Sequence, residues 1–233
     1  AVQRYQKTLA QNGVSLEGKR VLLFGYGGNY SVGCNLLKMG VRHVVLTERA
    51  GFPDNRANRA LFPEFQDYLE LKGDVAMPHP EFMTVIHQDI HETAAEKKVE
   101  PVDIVMSTSV YEHLDGVESI TKALVALTQK DGVHLHFVDL RDHYFKYSFE
   151  MLCYSEETWR RWLNPTSHHN RFRYRDYERV FEQNFEQVKI KVEGRDMESF
   201  EKARSRILPH FLTGDDSIDS VTGIQVLASF PKS

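Results

Sequence analysis

The chain has 233 residues, a length that suits one large domain with a single sizeable core. Hydrophobic residues make up 41% and charged residues 27%, near the globular average, which excludes a disordered tail, a collagen-like fibre or a coiled coil. Lys and Arg number 29 against 33 Asp and Glu, and a net charge of −4 leaves no basic surplus for nucleic acid or an anionic membrane.

Short apolar runs alternate with amphipathic stretches, the pattern of an α/β protein in which helices cover a parallel sheet. Strands are predicted at Arg20–Phe24, His43–Thr47, Phe82–His87, Val102–Ser107 and Val133–Val138, and Gln187–Glu193 with Gly223–Phe230 forms a closing antiparallel pair. Helical faces show at Val32, Leu36 and Met39, and at Val117, Ile120, Leu124 and Leu127. From Arg141 to Asp176 the rhythm changes to a stretch dense in aromatics, His and Arg, with no predicted strand, which suits a substrate-covering insertion. The expected organisation is one domain over 1–233: a core at 1–140, a cap at 141–176, and closing strands with a helix at 177–233. No apolar stretch approaches the roughly 18 residues that span a bilayer. The polar segment Ala1 to Gly18 lacks the apolar centre of a signal peptide, so the chain reads as cytoplasmic with no membrane partner. Cys34 and Cys153 stand in no metal-ligand spacing and read as small buried residues.

The first predicted strand runs through Gly25, Gly27 and Gly28 into a helix, a loop in which the backbone can approach a ligand closely. Glu48 ends the next strand, about twenty residues beyond, where a carboxylate can accept both hydroxyls of a ribose. On these two features a nicotinamide-dependent oxidoreductase and an adenosylmethionine-dependent methyltransferase compete. A full Gly-x-Gly-x-x-Gly counted from Gly25 needs glycine where Tyr30 stands, which counts against the dinucleotide.

Two further segments follow: His87-Gln-Asp89-Ile90, and Val102 to Leu114, which holds Ser107, Thr108, Ser109 and the Glu112-His113 pair. With the glycine loop and Glu48 they resemble the motif series of class I S-adenosylmethionine-dependent methyltransferases, including the Glu-His pair of the ubiquinone-biosynthesis type, over residues 18 to 140. The resemblance implies a seven-stranded Rossmann-like methyltransferase sheet with helices on both faces and a cap inserted after strand 5. It implies S-adenosyl-L-methionine as cofactor, with Gly25 and Gly27 beside its methionine moiety, Glu48 on the ribose and Asp89 near the adenine amine. Ser107, Thr108 and Ser109 would line the methionine end. Two positions depart from the pattern: Leu23 stands where an acidic residue is common, and Asn29 where a third glycine is common. The segments Val138 to Tyr144 and Ser167 to Arg173 resemble small-molecule methyltransferases of bacterial polysaccharide and secondary-metabolite pathways, which implies a small-molecule acceptor.

The expected activity is methyl transfer to a small polar metabolite, to oxygen in preference to nitrogen or carbon. An oxidoreductase using NAD(P) and a non-catalytic cofactor-binding partner subunit are the alternatives. An alcohol acceptor has to lose its proton, and His143 and His113, each just past a strand end, are the candidate bases, in that order. Arg171 is the candidate clamp on an acidic acceptor group, and Tyr144 and Tyr147 are candidate pocket walls. Arg171, Arg173 and Arg175 interleave with aromatics as a nucleic-acid strip would, but Asp176, Glu178 and Glu182 beside them argue against it. His134 and His136 share a strand face and read as packed histidines rather than metal ligands, and His168 and His169 read as structural. No metal is expected.

Overall fold

The computed structural model describes residues 1–97, 99–145, 147–164 and 169–232. Among these residues the strands in chain order are β1 (Arg20–Phe24), β2 (His43–Thr47), β3 (Leu69–Lys72), β4 (Val75–Pro78), β5 (Met83–Ile86), β6 (Val102–Thr108), β7 (Thr128–Asp139), β8 (Phe185–Arg195) and β9 (Val221–Pro231). β3 and β4 pair as a separate hairpin; the other seven make one sheet in the order β5-β2-β1-β6-β7-β9-β8. The first five of that row run parallel, and β9 lies antiparallel between β7 and β8. All seven predicted strands are present, although β7 begins at Thr128 rather than Val133. The β3–β4 hairpin was not expected, because its short polar strands carry no clear period.

Val21–Leu23, Val44–Leu46 and Ile104–Met106 are buried on both faces, which is why they read as continuous apolar runs. β8, at the sheet edge, alternates instead and shows Lys189 and Lys191 to solvent, which protects the edge from further pairing. The helices are α1 (Val2–Gln11), α2 (Ser31–Lys38), α3 (Asn55–Leu61), α4 (Ile90–Glu96), α5 (Val117–Ala126), α6 (Glu156–Thr158), α7 (Tyr174–Asn184), α8 (Met197–Ala203) and α9 (Asp216–Asp219). Strand residues of one parity, Leu22, Val45 and Val105, pack with Ile90, Leu124 and Phe181 of α4, α5 and α7. Those of the other parity, Val21, Val44 and Ile104, pack with Tyr5 and Leu9 of α1 and Leu36 of α2. Helices therefore cover both faces. Among the described residues no helix is long and apolar enough to cross a membrane.

The insertion after β7 has a small core of its own, in which Phe149, Met151, Leu152 and Trp159 pack against Phe200, Ala203 and Ile207. The last three belong to α8 and the chain after it, so two separate insertions build this layer. Arg173 ties it to the sheet: its buried guanidinium donates to the carbonyls of Leu140 (2.7 Å) and Val221 (2.5 Å), and burial lowers its pKa to about 10. Cys34 is buried, Cys153 half-buried, and both are free thiols.

Candidate active site

β1 turns through Gly25 (φ 72°), Gly27 and Gly28 into α2. A Cβ on Gly25 would stand 2.5 Å from Val110 Cγ2, so the first loop and the loop after β6 can meet only with glycine there. At the start of α2, Tyr30 N donates to Asn58 Oδ1 (2.9 Å) and Ser31 N to Asn29 Oδ1 (2.8 Å). Two donors that a pyrophosphate would use are thereby engaged by side chains.

Glu48, just past β2, is fixed by backbone donors: Oε1 accepts from Arg49 N (2.9 Å) and Ala50 N (3.2 Å), and Oε2 from Gly27 N (3.3 Å). Asp89 caps α4, its Oδ1 accepting from His91 N (2.8 Å) and facing His91 Nδ1 (2.6 Å). These hydrogen bonds hold its carboxyl below the usual range. Gly25, Glu48, Asp89 and His113 all line one cavity of about 260 Å³ with apolar walls from Phe24, Ile90 and Ile120. It lies at the carboxyl ends of the strands, where the strand order reverses between β1 and β6, the usual ligand crevice of an open α/β sheet.

A second recess of about 380 Å³ opens at the end of β7, lined by Thr108, Ser109, Asp139 and Arg141 among others. Ser109, with φ 55°, faces this recess, and its neighbour Val110 faces the first cavity, so one short loop divides the two. A crevice of about 500 Å³ also lies at the opposite end of the strands, where Lys19 and Asp103 pair at 3.2 Å; it is remote from all of these groups.

Three histidines meet beside the dividing loop. The His113 ring lies 5.4 Å from that of His143 and 5.6 Å from that of His169, and His143 and His169 are 4.8 Å apart, centre to centre. His143 Nε2 is 3.4 Å from Asp139 Oδ2. His169 is buried with neither ring nitrogen hydrogen-bonded, and burial pulls its pKa down to about 3, so it is neutral. Glu112 is also fully buried; burial, outweighing hydrogen bonds from its own backbone, the Asp139 backbone and Ser109, pushes its carboxyl up to about 7. Nothing local in the sequence signals that the Asp139 carboxylate reaches His143.

Other expected site residues stand elsewhere. Ser107 is buried with its hydroxyl 2.7 Å from His136 Nδ1, and Thr108 Oγ1 pairs with Tyr5 of α1 at 2.7 Å. Arg171 is 3% exposed; it donates to the carbonyls of Met151 (3.1 Å) and Tyr154 (2.7 Å) and pairs with Glu156. Its guanidinium ties the insertion together, which corrects the expectation of a clamp facing an acceptor. Tyr144 and Tyr147 are 44% and 72% exposed on the insertion's surface. His134 and His136 are buried under α7, bonded to Thr128, Ser107 and each other. His168 lies outside the described residues. Among those described, no group of three or more His, Cys, Asp or Glu is placed to hold a metal ion.

No family model and no curated protein matches the chain in sequence. Solved structures match it along its length. A candidate methyltransferase of Bacillus halodurans superposes with a TM-score of 0.56 at 14% identity, covering 97% of this chain and 98% of that one. The fold is that of a class I methyltransferase. A candidate sarcosine dimethylglycine methyltransferase of Galdieria sulphuraria gives 0.59 at 14%, over 99% of this chain and 84% of that one. A Haemonchus contortus phosphoethanolamine N-methyltransferase, solved with S-adenosylhomocysteine, gives 0.59 at 12%, over 99% of this chain and 53% of that one. At such identities the methyltransferase likeness carries the fold, and the chemistry has to rest on the residues above.

Proposed function

We propose that the protein transfers a methyl group from S-adenosylmethionine to an oxygen of a small polar metabolite. The observation that carries this reading is the meeting of Gly25, Glu48 and Asp89, distant in sequence, around one cavity at the strand-order reversal. The residues fit the cofactor. Gly25 clears the loop, Glu48 presents a carboxylate braced by three N–H donors to a ribose, and Asp89 lines the same cavity for the adenine amine. Bound there, S-adenosylmethionine supplies an electrophilic sulfonium methyl group.

The chain's own task is to align the acceptor and take its proton. His143 Nε2 lies 3.4 Å from Asp139 Oδ2, so in the tautomer that keeps its proton on Nε2 the basic atom is Nδ1, and the carboxylate steadies the positive charge the ring acquires. His113 lines the cofactor cavity, and its ring centre lies 5.4 Å from that of His143. Neutral His169 packs behind His143 and fixes its ring plane.

The engaged N–H groups at the start of α2 speak against a nicotinamide dinucleotide. Calorimetric titration tests the choice: saturable binding of S-adenosylhomocysteine is expected, and saturable NADH binding without it would reject methyl transfer. Release of S-adenosylhomocysteine during incubation with a metabolite panel separates an enzyme from a non-catalytic partner subunit.

A further inference from the structure

The geometry points to an anionic group on the acceptor, a carboxylate or a phosphate, seated between Arg4 and Arg141 at the mouth of the recess at the end of β7. This rests on the methyl-transfer reading only for the word acceptor; the anion seat itself stands on the charges around the recess.

Both arginines line that recess, Arg4 from α1 and Arg141 from the turn after β7. Arg4 lies with its guanidinium carbon 3.6 Å from the centre of the Phe137 ring, so the cation has an apolar rest. Its present partner is Glu193, at 3.3 Å, but Glu193 also holds Lys191 at 2.7 Å. Arg141 is fixed bidentately by Asp139, with Nε–Oδ1 at 2.9 Å and NH2–Oδ2 at 2.6 Å. Arg4 and Arg141 line the recess with Asp139 and Glu193, two cations against two carboxylates, and Lys191, outside the lining, shares Glu193. Arg4 is therefore the group that can leave its partner without stranding it, since Lys191 remains on Glu193.

An exposed ion pair holds its partners only weakly, so exchanging Glu193 for a ligand's oxygens on Arg4 is a small step. Planar guanidiniums bind carboxylate and phosphate oxygens with two parallel N–H donors, which sets direction as well as affinity. Ser109 lines the seat's recess and its neighbour Val110 the cofactor cavity, and Asp139, which lines the recess, lies 3.4 Å from His143. An anion held there leaves the rest of a small acceptor to reach His143 and the methyl position. Arg171, the cation the sequence singled out, is spent inside the insertion and cannot take this part.

The test uses the whole protein saturated with S-adenosylhomocysteine, whose binding is measured first by calorimetry. Inorganic phosphate and sodium acetate are titrated at constant ionic strength against chloride, while the Nε–Hε signals of the arginines are followed by nuclear magnetic resonance. The expected result is a saturable shift of the Arg4 and Arg141 signals, stronger with whichever anion matches the seat, and an affinity lowered about tenfold in Arg4→Gln. Arg4→Gln should keep the parent melting temperature and its S-adenosylhomocysteine affinity, because Lys191 still neutralises Glu193. A linear shift without saturation, shifts confined to other arginines, or equal affinity in Arg4→Gln and the parent would overturn the seat. Absence of S-adenosylhomocysteine binding would instead sink the methyl-transfer reading while leaving the anion titration to decide the seat.

Discussion

Asp139 Oδ2 stands 3.4 Å from His143 Nε2, and the same carboxylate is gripped by Arg141 through its other contacts. A carboxylate that is itself immobilised can orient an imidazole, and the pair has the form of an acid-steadied base at the edge where a methyl acceptor would lie. Removing the base is expected to lower kcat roughly 10²-fold in His143→Ala with S-adenosylhomocysteine affinity unchanged. Asp139→Asn should give a smaller loss in kcat, since the ring remains but its orientation and charge support are gone. Steady-state kinetics with calorimetry checks both, and an unaltered kcat in His143→Ala would remove it as the base.

Glu48 is expected to hold the ribose. Losing a charge-assisted hydrogen bond in a partly enclosed cavity costs on the order of 1.5–3 kcal/mol, so Glu48→Ala should bind S-adenosylhomocysteine about ten- to a hundredfold more weakly. Three backbone N–H groups also lose their acceptor, so the melting temperature is measured alongside to separate affinity from loop disorder. Binding as tight as the parent's would remove Glu48 from the cofactor site.

β1 and β2 were legible to the residue, because a strand buried on both faces writes itself as an unbroken apolar run. The glycine loop, Glu48 and Asp89 were legible for a different reason: each stands at a strand end, and the topology of a parallel sheet brings strand ends together. Side-chain partners formed across long separations were not. Arg4 meets Glu193 and Tyr5 meets Thr108 only once α1 has docked, and nothing in the first ten residues announces either contact. Arg171 was misread because a cation in sequence carries no mark of its burial, and Phe200 joins Phe149 in one core although β8 lies between them in the chain.

Glu112 gives the stability a particular pH dependence. Its carboxyl is raised from an ordinary 4.5 to about 7, so between these values the folded state binds the proton that the unfolded chain has released. Stability contributed by this group is therefore full below pH 4.5, falls as pH rises through the window and levels off above about 7, a change of about 3 kcal/mol. Glu112→Gln removes the titrating group and should be the more stable protein at pH 8, with a flatter profile. Denaturant melts of both proteins from pH 5 to 8 check this; parallel curves would mean that Glu112 is ionised at ordinary pH within the fold.

Gly25 is bound to its place by two separate effects. Its φ of 72° disfavours any side chain, and a Cβ would run into Val110. Gly25→Ala should therefore lose cofactor affinity at least tenfold, since relief of the contact pushes the loop into the cavity. Val110→Ala shortens the opposing side chain, so the double variant should regain the part due to the clash and keep about 1 kcal/mol of backbone strain. A double-mutant cycle on S-adenosylhomocysteine affinity and stability measures the division, and no recovery in the double variant would assign the whole effect to the backbone.

Arg171 separates the structural reading of a cation from the functional one. Its guanidinium is 3% exposed and engages two carbonyls and Glu156, and it lies within 5.8 Å of the Trp159 ring centre and 4.9 Å of that of Phe211. Truncation strands the carbonyls of Met151 and Tyr154 and opens a void in the small core of the insertion, and each buried acceptor left without a donor costs about 1–3 kcal/mol. Arg171→Ala is thus expected to unfold the insertion, seen as lost hydrogen-exchange protection at Met151 to Tyr154 and in α8, while the β1, β2 and β6 amides stay protected. S-adenosylhomocysteine affinity should survive, because Arg171 is not among the residues that line that cavity. Arg171→Lys distinguishes the roles further: a lysine keeps the charge an acceptor clamp would need but cannot span two carbonyls and a carboxylate in one plane. If the lysine variant restores turnover without restoring protection of the insertion, Arg171 acts on the acceptor after all.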